Sequence, residues 1–439
     1  MQKTVITIFI FHFSFLIFFS CSKNSTPPET VTFSGTVTLE GETDHSGVTI
    51  SLYKPVLLDT ALVRINQQYP GIGVPISQET EFDHREHTPV YSTTTDASGH
   101  WQISGVTPGT YNVVAEKDSF GWRYAYNRQN NSIHIELKKT IYLRGQYDVY
   151  INIPMNSFVQ INGNVQFTSN SSLNIQSGSI VECENGSSLE IYGQMTCSGE
   201  SNDPILFSSK NKSDSWRLKL MQNSISTMDY CYFFTMPNGI YFNSIDTTAI
   251  THCRFQKGIY ALEFFNSTKV LIQNNFISHM QDGIRTNNSH TIIEKNIISQ
   301  MSDNGILSLN EKNSSWQYNV FDNCSNSGVA LNPSGYAYSD TWVNIIFNDF
   351  KDNKDHIVLG QKGWCEANYN NFINELNYII KTSAIIDIDT LDFRNNYWSY
   401  LNPYEIDQKI YDKNDMSGIP NQGCIIDYRD FLINYFIWN

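Results

Sequence analysis

The sequence predicts an all-β protein: a small N-terminal β-sandwich, then a right-handed parallel β-helix of about ten rungs, then a short C-terminal cap. Three observations favour this fold. Charged residues make up only 16% of the chain and aromatics 13%, and the excess of Asn, Ser, Ile, Phe and Tyr favours strands and turns. The N-terminal third alternates apolar and polar residues, and a motif then recurs about every 22 residues. At 439 residues, the chain is too long for one ordinary core.

The N-terminus has the pattern of an export signal. Lys3 precedes an apolar run from Val5 to Phe19, which is shorter than the roughly 20 residues of a membrane-spanning helix. The run ends at Ser20-Cys21 and resembles a bacterial lipoprotein signal, although the position that usually holds Leu is Phe18. The resemblance implies a signal peptide at 1–20, acylation of Cys21 and a tether at 21–30. The protein is then expected in the bacterial cell envelope, anchored by lipid at the outer membrane or cell surface.

Charge and cysteine content exclude two classes of partner. The net charge is -14, and no cluster of Lys or Arg interrupts it, so a nucleic-acid partner is not expected. Seven cysteines follow Cys21 without any CxxC spacing, so a zinc site is not expected either. An odd number leaves at least one thiol unpaired within the chain.

Residues 31–150 are predicted to form the sandwich. Strands are expected at 31–39, 47–53 and 111–115, with a strand, a turn and a strand across 91–103. In that turn Asp96 can accept a backbone N–H two residues on, and Gly99 can take a positive φ. The order and the Pro108-Gly109-Thr110-Tyr111 motif resemble the carboxypeptidase regulatory-like domain, a transthyretin-like sandwich. The resemblance implies a spacer or an interaction module.

A long insertion, 54–89, departs from that family's pattern. It contains Asp83-His84-Arg85-Glu86-His87, in which two His three apart are flanked by carboxylates. Such a run can ligate a metal, but a polar surface loop produces it as well. No third or fourth ligand is evident nearby, so no metal site is predicted.

Residues 155–402 are predicted to be the β-helix. A tripeptide ending in a bulky apolar residue recurs at intervals of 21 to 30 residues, with its last residue at Phe233, Phe255, Phe276, Ile297, Val320, Phe350, Phe372 and Tyr397. The spacing fits three short strands and three turns per rung, with no helical period. We expect these apolar residues to fill the interior. The Asn residues beside them should stack through amide hydrogen bonds.

Other features of the repeat refine this register. A glycine marker recurs as Asn-Gly-Ile or a close variant, at Gly239, Gly258, Gly283, Gly305 and Gly328. A loop is expected around 332–338, where one interval lengthens. Cys231 and Cys253, one rung apart, should lie above each other within disulfide range, although a disulfide is not required.

Residues 403–439 are expected to cap the helix, with Asn402 as N-cap and Pro403 as first residue of a short helix at 403–410. The exposed strand edges at the two ends of a β-helix need covering, so we expect the first domain and this segment to act as plugs.

The repeat resembles the right-handed β-helix of the pectate-lyase-like superfamily over about 155–435. The stretches 173–181 and 188–193 resemble the first rungs, and Asn395-Asn396-Tyr397-Trp398 resembles the closing segment. The resemblance implies that polysaccharides are the natural partner. Lyases of this fold bind calcium and use Lys or Arg as base, and hydrolases use paired carboxylates.

The densest charged neighbourhood in the repeat comprises Asp282, Arg285 and Asp303, with Lys257 beside them. These are candidate catalytic residues, although the position of Asp282 also suits an ordinary surface turn residue. Two functions therefore remain open: binding of a glycan or another surface molecule, or a polysaccharide lyase or hydrolase. No cofactor is expected, except calcium for a lyase. A cleft with three carboxylates and a base would favour the enzyme, and a smooth Asn- and Ser-rich face would favour binding.

Overall fold

The computed structural model describes residues 29–129, 132–211, 213–234, 236–333, 341–382, 390–416 and 424–437. Strands make up 53% of the structure and helices 5%, which confirms the all-β fold. The predicted signal peptide, Cys21 and most of the tether lie outside the described residues, as does most of the loop expected at 332–338.

Two sheets form the N-terminal domain and enclose one core. Phe33, Ile50, Trp101 and Val113 are among the side chains buried between them. In the predicted turn, Asp96 accepts the N–H of Ser98 at 2.9 Å, and Gly99 has a φ of 79°, as expected. One sheet has the order His100–Val106, Val31–Leu39, Ile133–Leu137, and the other has the order Tyr91–Thr94, Thr49–Tyr53, Tyr111–Lys117, Gly121–Arg128.

A parallel β-solenoid of about 11 turns runs from residue 141 to 382. It begins earlier than the predicted boundary at 155, because Ile141–Tyr147 already pairs with the next rung. Each rung contributes strands to three faces, named A, B and C in chain order. Strands that turn the corner from A to B are Ile141–Tyr147, Phe158–Phe167, Arg254–Phe265 and Phe276–Asn287. The other strands of face A are Ile180–Cys183, Ile205–Ser209, Cys231–Phe234, Ile297–Ser299, Val320–Asp322, Asp349–Lys351 and Asn371–Ile373.

Faces B and C complete the coil. The further strands of face B are Ser188–Ile191, Arg217–Leu220, Ile240–Asn243, Asn304–Leu309, Ser327–Leu331, Asp355–Leu359, Tyr378–Thr382 and Ile410–Tyr411. Face C consists of Tyr150–Ile153, Ser172–Gln176, Gln194–Ser198, Ile225–Asp229, Thr247–Thr251, Val270–Gln273, Thr291–Glu294, Ser314–Gln317, Thr341–Ile346 and Gly363–Asn368. Because like positions superpose from rung to rung, one buried core extends along the whole lumen.

An asparagine ladder fixes the turn from face C to face A, as the sequence predicted. Its members are Asn275, Asn296, Asn319, Asn348, Asn370 and Asn396. In a typical step, Asn319 Nδ2 donates to Asn348 Oδ1 at 3.0 Å and to the carbonyl of Ile293 at 2.7 Å. The Asn348 oxygen also accepts the backbone N–H of Asn319. Every polar atom of such a buried amide is therefore satisfied, which makes the column stabilising.

The predicted interior column is wrong at several rungs. Phe255 pairs with Ile277, so Phe276 is one residue out of register and points outward. Ile297 and Val320 lie in the same outward column. A one-residue slip moves a side chain to the other side of a sheet. Gly258 also does not belong with the other marker glycines. It pairs with Met280 on the next rung and not with Gly283.

The insertion explains why that outward column is apolar. It forms the helices Thr60–Gln68 and Gln78–Glu81 and the 3-10 helix His84–Glu86, which lie along the outside of face A. Leu62 and Ile65 pack there against Phe276, Ile297 and Val320. The first domain is therefore not a plug at the end, as predicted, but a cover along the side. Face A is buried on both sides.

The C-terminal segment covers the far end of the lumen. The helix Pro403–Asp407 begins where predicted, with Asn402 Oδ1 accepting the N–H of Glu405 at 3.0 Å, but it ends before residue 410. Thr390–Asp392 pairs with Ile425–Asp427. Phe393, Trp398 and Ile406 extend the lumen core, so this part of the chain closes the stack.

The register places Cys231 beside Cys253 on adjacent rungs, since Tyr232 pairs with Arg254. Both thiols are free and buried, and all seven cysteines of the described residues are unpaired. Burial raises the pKa of the Cys231 thiol. These thiols therefore act as small apolar groups of the core.

Candidate functional site

Asp282 and Arg285 meet on face B in a closed ion pair. Asp282 Oδ2 accepts Arg285 Nε at 2.9 Å and Nη2 at 2.7 Å, and Oδ1 accepts the backbone N–H and the side-chain amide of Asn304. Asp282 is fully buried, so the expectation of a surface turn residue is wrong. The carboxylate has no free lone-pair direction toward a ligand, and its role is to join two rungs.

The other members of the predicted neighbourhood do not complete a site. Asp303 is half-buried. Burial and the negative charge of Asp282 raise the pKa of Asp303. Lys257 is paired with Glu86 of the insertion and so is not available as a base. Asp303 thus lies near the Asp282–Arg285 pair, but within the described residues both neighbouring cations are already paired, Arg285 with Asp282 and Lys257 with Glu86.

The Asp83–His87 run is occupied by structural contacts. Asp83 forms a two-point ion pair with Arg85, at 2.7 and 2.5 Å. His84 Nδ1 lies 2.7 Å from the Tyr124 hydroxyl, and burial lowers the pKa of His84 to about 4. Among the described residues, no group of three or more His, Cys, Asp or Glu side chains is placed to hold a metal ion.

A cavity lined by charged, polar and aromatic side chains lies where the N-terminal domain meets the first rungs of the solenoid. This interdomain cleft has a volume of about 440 Å³. Both domains and the insertion contribute walls. The cleft is lined by His84, Arg85, Glu116, Lys117, Asp118, Ser119, Gly121, Trp122, Thr140, Tyr142, Phe158, Gln160, Glu182, Lys210 and Asn211. Carboxylates, amines, amides and aromatic rings therefore face one space.

Two carboxylates on opposite sides of the interdomain cleft differ in environment. Glu182, on face A, accepts Trp122 Nε1 at 3.2 Å and Gln160 Nε2 at 3.3 Å and is buried. Glu116 belongs to the sandwich and reaches solvent. Enclosure by the cleft, and then the negative charges of Glu182 and Asp118, raise the pKa of Glu116. The two carboxyls therefore differ: the pKa of Glu116 is raised, whereas Glu182 accepts two hydrogen bonds from side chains.

Sequence reasoning missed the interdomain cleft. Glu116 and Glu182 belong to different domains, and no spacing between them predicts that they meet. One signal was present: Glu182 interrupts the apolar strand Ile180–Cys183 at an outward position. A carboxylate in a strand buried on both sides requires partners, and here they are Trp122 and Gln160.

Comparison with known proteins supports the assignment of a right-handed β-helix. Residues 238–398 match a family model described as a right-handed β-helix region. No curated protein and no solved structure matches the chain. Within the described residues, no helix is long and apolar enough to cross a membrane. The interdomain cleft lies outside the matched residues, so the match says nothing about it.

Proposed function

We propose that the protein is a lipid-anchored component of the bacterial cell envelope, at the outer membrane or cell surface, that binds a polysaccharide segment in the interdomain cleft. The composition of the cleft carries the proposal. Sugar hydroxyls both donate and accept hydrogen bonds, and the walls offer acceptors in Glu116 and Glu182 and donors in Lys117 and Lys210. Tyr142, 45% exposed at the rim, offers an amphipathic ring of the kind that packs on a sugar.

Binding can be tested by calorimetry of the ectodomain against pectic, alginate and host-type glycans. Tyr142→Ala should weaken binding of the active glycan about fivefold, because one ring contact contributes about 1 kcal/mol. Tyr150→Ala is the matched control, since Tyr150 is 63% exposed on face C. Equal affinities of the two variants would contradict a site in the interdomain cleft.

The lipid anchor rests on the apolar run ending at Ser20-Cys21. Acyl chains on Cys21 would hold the protein at a membrane, because a single chain alone binds only marginally and several bind stably. The sandwich, on its resemblance to carboxypeptidase regulatory-like domains, would act as the spacer and as one wall of the cleft. Mass spectrometry of the mature N-terminus should find an acylated Cys21, and a free thiol or another N-terminus would contradict the anchor.

A second candidate function is hydrolysis of the bound glycan, favoured by the unlike environments of Glu116 and Glu182. Glu116 would protonate the leaving oxygen, and Glu182 would take a proton from the attacking water. New reducing ends that disappear in Glu116→Gln would support hydrolysis. Unsaturated products absorbing in the ultraviolet would instead indicate a lyase, the reaction for which calcium would be required.

A further inference from the structure

The apolar lumen of the solenoid becomes polar over two rungs. The inward column of face B reads Leu220, Phe242, Phe264, Thr286, Ser308, Leu331 and Leu359. In the two rungs before this polar stretch, the rings of Phe242 and Phe264 stack with their centroids 4.3 Å apart. Thr286 and Ser308 replace such rings by smaller side chains with hydroxyls. This change of residue type along the column creates a polar site inside the core.

Glu311 fills the turn from face B to face C at the same level. Its side chain is fully buried. Oε1 accepts the Ser314 hydroxyl at 2.6 Å and the Thr291 hydroxyl at 2.7 Å, and Trp316 Nε1 donates in turn to Thr291 at 3.0 Å. The carboxylate is therefore held in one orientation by its own rung and by the preceding rung.

Three oxygens at this level have no hydrogen-bond partner among the described residues. They are Glu311 Oε2, Thr286 Oγ1 and Ser308 Oγ, all buried. No described Lys, Arg or His forms an ion pair with Glu311. Burial raises the pKa of Glu311 to about 7, and the nearby hydroxyls of Ser314, Thr286 and Thr291 offset this rise only in part. An ionised carboxylate without a counter-charge is costly in a core. A positive charge that bonds to several of these oxygens would stabilise the ionised carboxylate.

We propose that this lumen site binds one alkali-metal cation. Carboxylate and hydroxyl oxygens are hard ligands, which suit such ions better than nitrogen or sulfur would. One carboxylate balances a single positive charge, whereas calcium sites usually gather several carboxylates. A bound cation would contact Glu311 Oε2, Thr286 Oγ1 and Ser308 Oγ at once, whereas a proton on Glu311 bonds to one further oxygen at a time.

Thermal unfolding at pH 8.5 tests the site, because Glu311 would then be ionised. We expect the Tm to rise by at least about 2 °C in sodium or potassium chloride over choline chloride of equal ionic strength. The ion with the larger rise is the preferred occupant. Glu311→Gln should abolish this dependence. Glu366→Gln, at an exposed carboxylate of face C, should retain it.

Equal Tm values in all three salts would show that a proton alone occupies the site and would overturn the proposal. So would a cation preference that persists in Glu311→Gln. If that variant does not fold, Ser308→Ala should at least halve the Tm increase, and an unchanged increase would count against the site. Crystals soaked in thallium(I), a potassium analogue, should show an anomalous peak beside Glu311 Oε2, and its absence would contradict a potassium site.

Discussion

The lumen of the solenoid and the junction between face A and the N-terminal domain are both buried, but they are assembled differently. In the lumen, like residues stack: Phe233 lies 4.8 Å from Phe207 and 4.6 Å from Phe255, between ring centroids. At the junction each contact occurs once, as when Glu81 pairs with Arg254 at 2.8 Å. Repetition gives the lumen many equivalent contacts, whereas the junction depends on a few individual ones.

This difference predicts how the stability of each region responds to substitutions that remove a contact. In a stack of repeats, each rung contacts mainly its neighbours, so stability is a sum of local terms. Removing one member of a continuous polar column disturbs the rungs on both sides. Removing a junction contact leaves the coil intact but exposes or isolates one group on face A.

The largest effect is expected in the asparagine ladder. Asn319→Ala would leave the backbone N–H of Asn296 without its acceptor and would remove the amide donor to the carbonyl of Ile293. The Asn296 side-chain amide would lose one of its three acceptors. Since each unsatisfied buried group costs about 1–3 kcal/mol, the free energy of unfolding should fall by about 3–4 kcal/mol. Urea unfolding measures this. Asn344→Ala, on the exposed side of face C, should change it by no more than about 0.5 kcal/mol.

A smaller loss is expected at the junction. Arg254 is fully buried, and Arg254→Met would leave Glu81, only 15% exposed, without its partner. Breaking such a pair should cost about 2–3 kcal/mol, somewhat less than a fully buried pair because Glu81 can reach water. Lys257→Met is the matched control: its pair with Glu86 is half exposed and should contribute less than about 1 kcal/mol. Equal losses would mean that burial does not distinguish the two pairs.

The same difference explains what the sequence could predict. The 22-residue period and the Asn residues at 275, 296 and 319 predicted the coil and its ladder, because repetition is visible in one chain. The side on which Phe276 and Ile297 lie was not predictable. Alternation of apolar and polar residues distinguishes the inward from the outward side of a strand only when one side is exposed to solvent. Face A is buried on both sides.

The interdomain cleft could not be predicted from the sequence for a related reason. Its composition depends on how the insertion and the sandwich dock on face A, and docking leaves no periodic pattern. Asp282 and Arg285 were placed near each other by the repeat, yet the burial of Asp282 was not foreseen. Asn304, which donates two hydrogen bonds to Asp282, precedes the marker glycine Gly305, and nothing in the sequence predicted that role.

Acid should weaken both regions through one buried histidine each. Burial lowers the pKa of His84, at the junction, to about 4 and that of His356, in the lumen, to about 3. In the unfolded chain each would take a proton near pH 6.5. Stability is therefore complete above about pH 6.5 and falls as the pH drops toward these values. Each group should contribute about 1–2 kcal/mol of loss by pH 5.

Urea unfolding between pH 7.5 and 5 measures this slope. His84→Gln and His356→Gln should each make it shallower, and the double variant more so. His290→Gln is the control, because His290 is exposed. A slope unaltered in both single variants would show that other groups cause the acid sensitivity.

The smallest effect is expected at Asp303, beside the Asp282–Arg285 pair. Burial and the charge of Asp282 raise the pKa of Asp303, so its ionised form is disfavoured in the folded protein. Its contribution to stability is complete below its unfolded pKa and is lost as the pH rises through the folded value. Asp303→Asn should therefore stabilise the protein slightly at pH 7, by a few tenths of a kcal/mol given its partial exposure, and by nothing near pH 3. Glu366→Gln provides an exposed control on face C. A loss above about 1 kcal/mol at pH 7 would instead show that the Asp303 carboxylate is a required acceptor in this part of face B.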